Sequence, residues 1–94
     1  MSISFTSSII SRLKREITEL EAQILLANNK IAKAQTKLKQ LQKDSKKSSL
    51  PSDLSNKLTR INKLKEEIAE NTKKQADAAR QLTSKKAELK KHSS

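Results

Sequence analysis

Apolar residues recur along the first half of the chain with a heptad rhythm. Ile10, Leu13, Ile17, Leu20, Ile24, Ala27, Ile31, Ala34, Leu38 and Leu41 follow one another in alternating steps of three and four, without a slip. A 3.5-residue period keeps one stripe facing a partner only if two helices wind around each other with a left-handed supercoil. Isoleucine fills four of the five a positions, and leucine or alanine fills every d position. Ala27 and Ala34 thin this seam and let a second backbone approach closely.

The second half is less regular. Leu54, Leu58, Ile61, Leu64, Ile68, Ala79, Leu82 and Leu89 form a drifting stripe, with Thr72, Gln75 and Lys86 where it should continue. Polar residues inside a seam set register and partner number at a cost in stability. The seam expected from both halves is Ile10, Leu13, Ile17, Leu20, Ile24, Ile31, Leu38 and Leu41 against Leu54, Leu58, Ile61, Ile68 and Leu82.

Between the halves lies the one strong interruption, Asp44-Ser45-Lys46-Lys47-Ser48-Ser49-Leu50-Pro51-Ser52. A proline disfavours helical geometry in the residue before it and fits the first turn of a new helix. The pattern predicts a helix over 7–44, a turn over 45–52 and a helix over 53–91, folded as one domain spanning 1–94. Thr6 or Ser7 is the expected cap of the first helix, with Phe5 and Ile10 as its hydrophobic staple. Ser52 is the expected cap of the second, with Asp53 at the positive end of the helix dipole. Reversal about residues 48 and 49 pairs positions whose numbers sum to about 97. The fold class is therefore all-α, an antiparallel two-helix coiled-coil hairpin.

Composition agrees with that reading. The 94 residues include no glycine, one proline, no valine and a single aromatic, Phe5. Helix interiors exclude glycine and proline, and strands favour valine and aromatics. With no cysteine there is no disulfide, thiolate metal site or cysteine nucleophile, which fits a reducing compartment and a cytoplasmic location. The longest apolar run, Ile24 to Ala27, is far short of a membrane span. The serine-rich, acid-free N-terminus is a little like an organellar transit peptide, but the same stretch reads as the start of the first helix.

Chemistry is hard to place on such a chain. A narrow helical seam offers no pocket where polar groups converge, so no enzymatic activity, cofactor, small-molecule substrate or metal is expected. His92 is the only histidine and has no catalytic or metal-binding partners in sequence. Glu66, Glu67 and Glu70 form an acidic patch, and Lys63 and Lys74 lie four residues from Glu67 and Glu70, so local ion pairing accounts for it.

Charge is the stronger signal. Lysine and arginine number 21 against 10 acids, a net charge of +11. A candidate basic face comprises Lys30, Lys33, Lys37, Lys73 and Lys74. Its expected partners are an acidic protein or, nonspecifically, nucleic acid, since phosphate attraction needs only positive charge. Base-specific reading is disfavoured, because lysines outnumber arginines 17 to 4 and stacking aromatics are lacking. The missing aromatics also weaken a membrane-surface role.

A lone two-helix hairpin buries little apolar surface for its length. Leu25 and Leu26 project from b and c positions, away from the seam, and are the candidate contact between copies. The functional expectation is a non-enzymatic oligomerisation or scaffolding module. The alternative is a small basic helical protein associated with nucleic acid.

From Ser49 onward the chain reads SLPSDLSNKLTRINKLKEEIAENTKKQADAARQLTSKKAEL. The serine-rich turn before Leu54, the step Ser55-Asn56-Lys57-Leu58, the run Lys73-Lys74-Gln75-Ala76-Asp77 and the run Ser84 to Leu89 carry a resemblance. This segment resembles the N-terminal coiled-coil extension of bacterial Toll/interleukin-1 receptor (TIR) domain proteins. The resemblance implies a helical part that assembles copies, with NAD cleavage belonging to a separate TIR domain. No enzymatic residue carries over, because the matching stretch lies wholly in the helical part. The chain is then either a region of a longer protein or a free-standing assembly module.

Overall fold

The structure, a computed structural model, describes residues 2–47 and 50–93, with side chains from Thr6 onward. It is an antiparallel hairpin of two helices, α1 (Ser2–Lys47) and α2 (Pro51–Ser93), with no strand among the described residues. Both helices run further than the heptad stripe alone predicts. Thr6 and Ser7 lie inside α1 and do not cap it, because nothing in the preceding residues breaks a helix. The staple partner Phe5 has a side chain outside the described residues. At the other end Ser45 stays helical, donating its hydroxyl to the Gln42 carbonyl at 3.0 Å. Of the predicted turn over 45–52, residues 45–47 thus belong to α1 and residues 51–52 to α2, while residues 48 and 49 lie outside the described residues.

Pro51 begins α2, so Ser52 is its second residue and not its cap. The carbonyl of Leu50 accepts the first helical hydrogen bond, from the Leu54 amide at 3.0 Å. Proline at this position gives up no bond, since the first amides of a helix have no internal acceptor. Asp53 sits in the first turn and pairs with Lys57 at 3.1 Å. Cationic side chains close both helices: Lys46 and Lys47 on α1, and Lys90 and Lys91 on α2. Each complements the negative end of its helix dipole.

The hairpin packs as two compact units, residues 1–26 with 74–94 and residues 27–73. In the first, Leu13, Ile17, Leu20 and Ala78 are buried, and Leu13 is fully enclosed. Ile10, Ile24, Leu82 and Leu89 are half-buried around them. In the second unit Ala27, Ala34 and Ile61 are buried, with Ile31, Leu38, Leu41, Leu64 and Ile68 half-buried. The stripe on α1 therefore faces inward along its whole predicted length.

The face that α2 turns inward shares Ile61, Leu64, Ile68, Leu82 and Leu89 with its drifting leucine stripe and departs from it at the other positions. Lys57, Ile61, Leu64, Ile68, Asn71, Gln75, Ala78, Leu82, Lys85 and Leu89 are buried or half-buried, again in steps of three and four, with Asp53 and Asp77 half-buried besides. Leu54 and Leu58, expected in the seam, are exposed. Ala78 and not Ala79 is buried, and Asn71 and Lys85 hold the places expected of Thr72 and Lys86. Maintaining a strict heptad requires polar residues at four of these ten positions. The polar side chains are tolerated because they remain half-exposed and bonded: Asn71 donates to the Glu67 carbonyl at 2.8 Å, for example.

The register also differs from expectation. Glu16 meets Lys85 in one unit, and the Asp44 carbonyl meets Lys57 in the other. Both pairs have numbers summing to 101 and not to about 97, a displacement of one helical turn. The reversal is thus centred on the Leu50–Pro51 bond, where the chain cannot continue a helix through proline.

Candidate interaction surfaces

Side chains outside the seam decide what the hairpin can bind. On the unit formed by residues 1–26 and 74–94, Leu25 and Leu26 are 62% and 56% exposed, so both point away from the seam as their b and c positions predict. From Ala22 to Leu26 the helix carries no charge. Over residues 12–26 three cations (Arg12, Lys14, Arg15) balance three carboxylates (Glu16, Glu19, Glu21).

The same unit contains an ion pair that sequence reading missed. Glu16 Oε2 is buried and lies 2.8 Å from Lys85 Nζ, while its other oxygen is 3.6 Å from Arg12 Nε. The hydrogen bond from Lys85 holds the Glu16 carboxyl below its ordinary pKa, against a smaller opposing effect of desolvation. The same bond raises Lys85 above the usual lysine value. The signal available in the sequence was a lysine at a heptad position, which reads equally well as a solvated residue.

On the unit spanning 27–73 the exposed apolar residues are Leu50, Leu54 and Leu58, at 65%, 36% and 58%. They recur every four residues, a spacing that places Leu54 and Leu58 on one face of α2. This unit also carries most of the charge. Its sequence holds 12 cations against 5 carboxylates, whereas the other unit holds 9 against 5.

The predicted basic face resolves into parts. Lys30, Lys33 and Lys37 are exposed on α1, and Lys33 and Lys37 line one shallow depression with Ala32 and Thr36. Lys37 also borders a groove of about 370 Å³ between the helices, with Gln40, Leu41, Arg60, Lys63, Leu64 and Glu67. Arg60, not part of the predicted basic face, lines this groove together with Lys37 and Lys63. Lys73 and Lys74 are exposed but belong to different units.

Among the described residues no group of three or more histidine, aspartate or glutamate side chains could hold a metal. No helix among them is long and apolar enough to cross a membrane. Compared with known proteins, the chain matches no family model, no curated protein and no solved structure.

Proposed function

We propose that this chain is a non-enzymatic assembly module whose copies associate through Leu25 and Leu26. The observation that carries the reading is the adjacent exposure of these two leucines on a charge-free step of α1. Interface cores are depleted in charge, and large exposed apolar side chains at such a place gain by being covered. The seam supplies the need: of the seven buried apolar residues among those described, three are alanines. Balanced charge over residues 12–26 lets two copies approach there despite the net charge of +11. The resemblance to the coiled-coil extension of TIR-domain proteins implies the same role.

Light scattering of the purified chain across a concentration series tests this. The wild type is expected to contain more than one copy, and the double variant L25D/L26D to be monomeric with unchanged helical circular dichroism. A wild type that stays monomeric at high concentration overturns the reading. So does a double variant that loses its helices, because those leucines would then belong to the core.

A further inference from the structure

We infer that the row Leu50, Leu54 and Leu58 docks an acidic amphipathic helix of another protein, a contact separate from the one between copies. The leucines are exposed and evenly spaced in the unit spanning 27–73, Leu50 immediately before α2 and Leu54 and Leu58 near its start. Residues repeating every four positions on a helix form a continuous apolar edge, the kind of surface that receives the apolar face of a second helix.

Charge identifies the occupant. Between Lys37 and Lys65 the sequence holds nine cations, Lys37, Lys39, Lys43, Lys46, Lys47, Lys57, Arg60, Lys63 and Lys65, against Asp44 and Asp53. Both carboxylates are already engaged within the unit. Asp44 accepts from Gln40 Nε2 at 3.1 Å, and Asp53 pairs with Lys57. Apart from Lys57, every one of these cations is exposed. A second copy placed on this row would bring the same excess of positive charge against itself, and like-charge juxtaposition opposes the contact. A partner helix bearing leucine or isoleucine on one face and glutamate or aspartate beside it satisfies both features. Nucleic acid would answer the charge and leave the three leucines without a role.

The probe is a synthetic peptide of about 20 residues with leucine on one helical face and glutamate elsewhere, long enough to form a stable helix on binding. A second peptide of identical composition has its leucines scrambled. Fluorescence anisotropy with the full chain at near-physiological salt is expected to show binding of the first peptide. The double variant L54S/L58S is expected to weaken it by about tenfold or more, the loss expected when two apolar contacts go. L25D/L26D should bind the peptide as the wild type does, so failure of self-association leaves this outcome readable. Leu58→Ser alone, at the more exposed position, supplies the same comparison if the double variant loses helicity. Equal binding of the scrambled peptide overturns the inference in favour of charge alone. A short DNA duplex that binds more tightly than the peptide, unaffected by L54S/L58S, overturns it in favour of nucleic acid. Dissociation of the oligomer by L54S/L58S overturns it in favour of a contact between copies.

Discussion

Glu16 and Lys85 join α1 and α2 through a 2.8 Å ion pair whose two side chains are each 31% exposed. Where the heptad pattern of α2 reaches the seam with a lysine in place of an apolar residue, α1 answers with a carboxylate. The pair fits one alignment of the helices and not its neighbours, so it acts as a peg for register more than as a source of stability.

The pair makes stability depend on pH at both extremes. Glu16 has a lowered pKa in the fold, so its contribution is present above the ordinary carboxylate range and fades as pH falls through the lowered value. Lys85 has a raised pKa, so its contribution is complete below the ordinary lysine range and fades as pH rises through the raised value. Thermal melts are expected to be flat through neutrality, with Glu16→Gln flattening the acid limb. The reciprocal swap E16K/K85E should recover more of the wild-type melting temperature than either single change. No recovery by the swap would show that the two residues act independently.

The two large leucine environments separate sharply. Leu13 is fully buried, and Leu13→Ala is expected to cost about 2–5 kcal/mol through lost burial and the cavity left behind. Leu58 is mostly exposed, and Leu58→Ala is expected to fall within about 0.5 kcal/mol of the wild type. Urea denaturation of both variants checks the contrast. Equal costs would place Leu58 in the seam.

That contrast also marks what the sequence concealed. The α1 face was legible because ten apolar residues hold one period, and Leu25 and Leu26 stood out by falling beside it. On α2 the apolar residues Leu54 and Leu58 drew the stripe away from the inward face, which Lys57, Asn71, Gln75 and Lys85 help to form. Apolar content alone cannot identify such a seam, because its period is carried partly by polar side chains. The register followed from the same ambiguity: residues 45–47 read as turn formers, yet they extend α1 by most of a turn. Arg60 became visible as a groove residue only once α2 was aligned against Leu41.

Asn71 should behave as a specificity residue. It occupies a half-buried position in the unit spanning 27–73, one step of three from Ile68, with its amide on the Glu67 carbonyl. Asn71→Leu is expected to raise the melting temperature, since it adds apolar surface where the seam is thin. The same change should broaden the distribution of copy numbers, because a polar seam position penalises alternative pairings. Melting curves and light scattering of one sample read both effects. A more stable variant with an unchanged copy number would assign Asn71 no part in specificity.

Ala34 tests how closely the helices approach. It is buried in the unit spanning 27–73, between the half-buried Ile31 and Leu38 on the same stripe. If this spacing is set by the small side chain, Ala34→Leu forces the helices apart or its neighbours off their rotamers. The expected cost is about 1–3 kcal/mol, in spite of the added apolar surface. Ala32→Leu, two residues away on an exposed face, is the matched control and is expected to change stability by less than about 0.5 kcal/mol. Denaturant midpoints for the two variants decide the matter. Stabilisation by Ala34→Leu would mean that the seam holds a void large enough for an isobutyl group, and that close approach is not what alanine provides there.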